Sequence, residues 1–221
     1  MSLASGVPYW YASDPGTPLR QCEMLSDVEH VTVALADIGK PDEIGVVPTV
    51  YPYALILSQD CDMEWDQKNR RALANATEPP SRSDAREAWD AANRKLRAKL
   101  MAGVLFCAAE DEATVKAAAA QVGQPWKFAM SNQHERFHLL RGSESSTDAQ
   151  GTGFPPLVLD FKRFFTLPAD ELAARVVLAD GASGRATRRA FLASPFLEEV
   201  SARFYTYQSR VAVPDEARPT D

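Results

Sequence analysis

The sequence predicts an α+β protein with a β core near the middle of the chain. Apolar runs such as 53–57 (YALIL), 103–109 (GVLFCAA) and 157–165 (LVLDFKRFF) have strand length and end in polar or turn-forming residues. Segments with helical spacing are inserted between these runs. Of the 221 residues, 45% are hydrophobic, enough to bury a core around them.

Residues 1–20, rich in Pro, Gly, Ser and aromatics, read as an arm wrapped on the surface, with Tyr9, Trp10 and Tyr11 pinning it to the domain or forming an aromatic patch for a protein partner. Residues 21–28 and 30–36 carry β-type runs. Gly39, Pro41, Gly45 and Pro48 then mark a loop over 37–48. The strand 53–57 follows, and 63–80, polar and ending in Pro79-Pro80, reads as a loop. Residues 81–101 form a helix, with Ser81 or Ser83 as cap and Ala85, Trp89, Ala92, Leu96 and Leu100 at spacings of three and four.

After the strand 103–109 comes an Ala-rich helix, 111–122, stopped by Gly123 and Pro125. Residues 127–130 and 136–140 read as a hairpin or meander, 142–156 as a loop and 157–165 as a strand. Pro168 opens a short helix over 169–176, where its missing N–H leaves no bond unmade. Residues 177–178 suit a last short strand, and 186–192 a helix. Ser194-Pro195 then caps a final helix with Phe196, Val200, Phe204, Tyr207 and Val211 on its buried stripe. The domain plan is an arm (1–20), a β core (21–180) with a helical insertion at 81–101, and a helical extension (181–221).

The formal net charge of −6 argues against a general nucleic-acid binder, whose phosphate contacts need clustered Lys and Arg. The three cysteines, Cys22, Cys61 and Cys107, are far apart and fit reduced thiols in a cytoplasmic protein. The first residues carry no basic and apolar stretches of a signal peptide, and no apolar run approaches bilayer length, so no membrane association is expected.

The most chemically loaded stretch is 53–62, YALILSQDCD, where a core strand runs into Ser58, Gln59, Asp60, Cys61 and Asp62. Strand ends of this kind present side chains from a fixed backbone, so these five residues form a candidate ligand site. Asp60 and Asp62 flank Cys61, and like charge raises a thiol's pKa, which argues against a nucleophile. If the chain stays extended, Asp60, Asp62 and Glu64 share one face and could hold Mg²⁺ or Mn²⁺. The bland alternative is that Ser58 and the carboxylates bond local N–H groups and end the strand, with Cys61 packed inside.

Residues 134–138, HERFH, fit the HExxH string of zinc proteases, which works only on a helix. The alternation of Phe137 and Leu139 with His138 favours a strand and argues against zinc. His134, Arg136 and His138 would then share a face able to do acid–base work on a phosphodiester, or simply a solvated face. Arg185, Arg188, Arg189, Arg203 and Arg210 bias the C-terminal segment towards phosphate or an acidic partner, or towards pairing with Glu198 and Glu199 on a helix surface.

The order QCEMLSDV, Gly/Pro loop, YPYALILSQD, GVLFCAAED and LVLDFKRFFTLPADEL resembles the layout of MazF/PemK-type proteins. Cys22-Glu23-Met24 stands where that family has Gly-Asp-Ile, 54–58 matches its ALVLS segment, and 157–172 matches its last strand and closing helix. The resemblance covers roughly residues 20–175 and implies an SH3-like (PemK-like) β barrel with inserted and C-terminal helices. The family's RNA-cleaving Arg has no counterpart in Val50-Tyr51-Pro52-Tyr53, nor its Thr or Ser in Ala108-Ala109-Glu110-Asp111. The SQ-CD cluster and the closing helical segment 194–214 also resemble uncharacterised bacterial proteins.

Two functions follow as expectations. One is a non-catalytic binding or regulatory module acting through a protein partner or, failing that, nucleic acid. The other is a hydrolase, of nuclease type, using Asp60, Asp62 and Glu64 with a metal or His134, Arg136 and His138 without one.

Overall fold

In the computed structural model, which describes residues 7–33, 45–76, 79, 81, 83–121, 131–132, 134–177 and 186–209, the apolar runs gather into one antiparallel sheet. Its strands are β1 (Trp10–Ala12), β2 (Glu23–Val33), β3 (Val46–Ile56), β4 (Gly103–Asp111), β5 (Phe137–Leu140), β6 (Leu157–Pro168) and β7 (Thr187–Leu192). Their spatial order is β1-β7-β2-β3-β4-β6-β5. The helices are α1 (Asp60–Ala74), α2 (Ser83–Arg97), α3 (Glu112–Gln121), α4 (Ala169–Val177) and α5 (Phe196–Gln208).

The central strands are apolar on both faces, as a sheet sandwiched between helices requires. Met24, Leu55, Cys107 and Leu159 point to one side, where Phe196, Val200 and Phe204 of α5 cover them. Leu25, Ala54, Ile56 and Phe106 point to the other, under Met63 of α1 and Leu172 and Val176 of α4. The sheet curls: the Trp10 indole N–H in edge strand β1 donates to the Arg141 carbonyl just past edge strand β5, at 2.8 Å. Among the described residues no backbone ladder joins β1 to β5, so the sheet is open rather than a closed barrel.

Several elements differ from the sequence reading. Residues 10–12 of the arm add a strand to the sheet, with Trp10 opposite Leu192 and Ala12 opposite Ala190. The segment 186–192, read as a helix, is strand β7 between β1 and β2, so part of the supposed extension belongs to the sheet. Arg188 and Arg189 had suggested a solvated helix face, but both lie on this strand, buried and salt-bridged. The two β runs before residue 34 are one strand, and β3 begins at Val46 rather than 53.

Most of the supposed loop 63–80 is helix α1. Its inward positions Met63, Asp66 and Asn69 are largely polar, so no apolar stripe betrays it. Asp66 instead accepts from Arg70 one turn on and from the Met101 N–H at 2.7 Å. Pro195, not Ser194, is the N-cap of α5. The readings of 127–130 as a strand, of Leu178 in a last strand and of Val211 on the α5 stripe lie outside the described residues, and Val177 ends α4.

β2 and β3 extend past the rest of the sheet as a two-stranded ribbon. Their mutual register runs from Met24↔Leu55 to Val33↔Val46. Pairing of β2 with β7 reaches only Ser26↔Thr187, and pairing of β3 with β4 only Tyr53↔Ala109. The local chemistry accounts for both limits. Asp27 takes a left-handed φ of 58°, which turns β2 out of line with β7. Pro48 and Pro52 have no N–H, yet the ladder to β2 runs past them, so their missing donors lie on the outer edge, where β4 would pair.

Candidate functional site

The strand β3 ends as the sheet chemistry dictates. The Leu57 N–H donates to the Leu105 carbonyl at 2.8 Å, and the Leu105 N–H donates back to the Ser58 hydroxyl at 2.9 Å. The Ser58 side chain thus takes the place of a backbone acceptor and closes the ladder. Gln59 is the N-cap of α1 and offers it no side-chain bond; its amide lies 3.4 Å from the Tyr205 hydroxyl. The Asp60 carboxylate accepts from the Gln21 N–H and lies 3.6 Å from the Arg20 guanidinium, tying the turn before β2 to the first turn of α1.

Because Asp60 begins a helix, the extended alternation expected for Asp60, Asp62 and Glu64 does not form. Asp60 and Glu64 lie one turn apart beside a shallow groove with Arg20 and Tyr11. Asp62 is rotated away by roughly 200° and lines a different groove with Trp65 and Asn69. Among the described residues no three His, Cys, Asp or Glu side chains stand together as cation ligands. Cys61 is exposed rather than packed inside, with Gln59 and Asp62 oxygens 3.6 and 3.8 Å from its sulfur.

The HERFH segment is not helical, so its histidines cannot meet one metal as in a zinc protease. Nor do His134, Arg136 and His138 line one solvated strand face. His134 and Arg136 precede β5, and the Arg136 N–H donates to the His134 Nδ1 at 3.2 Å. Arg136 makes a bidentate pair with Asp160 of β6, both bonds 2.6 Å, which holds its guanidinium above the usual range.

His138 is buried beneath α5, 2% exposed, with its Nδ1 unbonded. Burial, helped by the Arg203 charge, lowers its pKa from 6.5 to about 3, so it is neutral at physiological pH. Arg203 itself donates to the carbonyls of Asn132, His134 and Phe137, fastening α5 to the loop before β5. The candidate acid–base residues are thus built into the scaffold.

Sequence reasoning missed two buried ion pairs on adjacent residues of β7. Arg188 bonds Glu23 at 2.5 Å and the Thr17 and Pro18 carbonyls. Arg189 forks onto Asp148 at 2.8 and 2.7 Å and reaches Thr152 and the Gly153 carbonyl. The register between β2 and β7 shifts at Met24/Leu25 and skips Arg189, a bulge that gives the two guanidiniums separate partners. Burial opposes the charge on Asp148, but bonds from Arg189, the Gln150 N–H and Thr152 outweigh it and hold the carboxyl below its usual value.

It also missed the ribbon. Beyond Asp27 one ribbon face bears Val28 and Tyr51, with Tyr51 and His30 stacked on Phe165 at 4.4 and 4.9 Å. The other bears Val31, Pro48, Val50 and Val46, with the valines 44%, 58% and 62% exposed. The signal was present as a valine-rich pair of segments, VEHVTV and VVPTVYPY, with prolines four residues apart.

No family model matches the chain, and neither a curated protein nor a solved structure matches it significantly.

Proposed function

We propose that this protein is a non-catalytic binding module that takes up an extended segment of a protein partner along the outer edge of β2, on the β2–β3 ribbon. The observation that carries this reading is the pairing of Val31 with Pro48. Proline cannot donate to β2, so this is a non-hydrogen-bonded pair in which both residues turn their backbone groups outward. On β3 the outward donors are deleted at Pro48 and Pro52, which blunts that edge. On β2 the outward N–H and C=O of Val31 are intact and, among the described residues, unpaired. A strand added there gains main-chain bonds from Val31 and apolar contact from the exposed Val31 side chain.

A protein partner is favoured over nucleic acid because the described residues of the ribbon, β2 and β3, present valines, Asp27 and Glu29, with no Lys or Arg among them to meet phosphate. The PemK-like resemblance fits as an expectation: a small β scaffold without the family's cleavage residues at 50–53 and 108–111 suits binding. Three free thiols, two of them buried, fit a reducing cytoplasm.

The test is affinity capture from cell extract with the full chain and with Val31→Pro, followed by binding of the purified captured protein to each. Val31→Pro removes an outward donor and leaves the ladder to β3 in place. The proposal expects it to weaken binding by about tenfold. A partner bound equally by both forms, or cleavage of RNA or DNA by the isolated chain, overturns the reading.

A further inference from the structure

α1 and α4 lie over the same face of the sheet and leave a cleft of about 240 Å³ between them, closed at one end by the 15–19 loop. This is just below the roughly 300–1,000 Å³ of pockets that take drug-sized ligands. Its floor is apolar: Leu19, Met63, Met101, Val104, Leu172 and Val176. The α1 wall presents Met63, Asp66, Gln67, Arg70 and Arg71, one face of a helix by their spacing.

The polar groups on this wall fall into two sets. Arg70 is held by Asp66, Asp170 and the Met101 carbonyl, and across the cleft Arg188 is held by Glu23 and two loop carbonyls. These groups have defined partners and shape the cleft. Gln67 and Arg71 stand one turn apart, both line the cleft, and neither side chain has a hydrogen bond or ion pair among the described residues. A half-buried amide and an exposed guanidinium four residues apart make a two-point clamp for one carboxylate, with an apolar floor beside it.

We infer that the cleft between α1 and α4 is a binding site for a small amphipathic carboxylate, its head held by Gln67 and Arg71 and its apolar body laid on Met63, Leu172 and Val176. The charge of the head follows from Arg71, the one lining guanidinium without a described partner. The size of the body follows from the cleft volume. This site is separate from the β2 edge and stands or falls independently of it.

Octanoate is a suitable probe, with 1-octanol supplying the tail without the charge and acetate the charge without the tail. Methyl NMR of the full chain locates the binding, and titration of Arg71→Gln and Gln67→Glu tests the clamp, with thermal melts confirming that both variants fold. The inference expects octanoate to shift the methyls of Met63, Met101, Leu172 and Val176. It expects Arg71→Gln to weaken octanoate by at least about fivefold and Gln67→Glu by more, with 1-octanol unaffected. Octanoate that leaves those methyls unmoved, binds both variants as tightly as the parent, or binds no better than acetate overturns it.

Discussion

Val31 of β2 faces Pro48 of β3 across a ribbon that has outrun the rest of the sheet. The two residues divide the ribbon's edges into a closed one and an open one. Proline on β3 removes the donor that an incoming strand would need, the device by which exposed edges are kept from pairing. β2 has no such protection at Val31. The exposed Val31 side chain lies at the open edge itself, so backbone complementarity and apolar contact coincide there.

The buried pair between Arg189 and Asp148 governs stability in acid. Asp148 has a folded pKa below its unfolded value, so its contribution is present at neutral pH and is lost as pH falls through the folded pKa. Urea unfolding between pH 7 and pH 2.5 should therefore show a steep acid limb that Asp148→Asn flattens. Arg189→Met, which leaves a buried carboxylate without its partner, should lower stability by about 3–5 kcal/mol at pH 7.

His138 gives a second, separable pH dependence. Its folded pKa of about 3 lies below the unfolded value of 6.5, so between these values the unfolded chain takes up a proton that the folded chain refuses. Stability therefore rises with pH across that window and falls as pH drops below about 6.5, by about 1.4 kcal/mol per unit at most. Chemical unfolding at pH 7 and pH 5 should show His138→Leu losing less stability than the parent on acidification.

The Ser58–Asp62 cluster makes a contrasting pair of predictions. Ser58→Ala strips the acceptor from the half-buried Leu105 N–H and should cost about 1–2 kcal/mol. Cys61→Ser changes an exposed side chain and should shift the melting midpoint by no more than surface substitutions do, within about 0.5 kcal/mol. If partner binding survives both, the cluster ends a strand and does not touch the partner.

The sequence made the centre of the sheet legible because 53–57 and 103–109 are apolar on both faces, and 157–161 is apolar but for Asp160; few other environments suit such runs. It hid α1 because Asp66 and Asn69 occupy inward positions, so the helix is held by an ion pair and a bond to Met101 rather than by an apolar stripe. It hid β7 because Arg188 and Arg189 look solvated until Glu23 and Asp148, some 165 and 41 positions away, supply their counter-charges. The candidate site was misread for a related reason. Carboxylates alternate on one face only in an extended chain, and the chain turns helical at Asp60. Arg136 and His138 could be noticed from sequence, but the engagement of Arg136 with Asp160 and the burial of His138 under α5 are tertiary facts.

The most direct test of the binding account is amide hydrogen exchange at Val31, measured on the full chain alone and in complex with the captured partner. The account predicts fast exchange in the free protein, because this N–H points away from β3, and slowing by about a hundredfold or more once a partner strand bonds to it. A complex that forms while the Val31 amide exchanges at its free rate, with protection appearing elsewhere on the sheet, would contradict it.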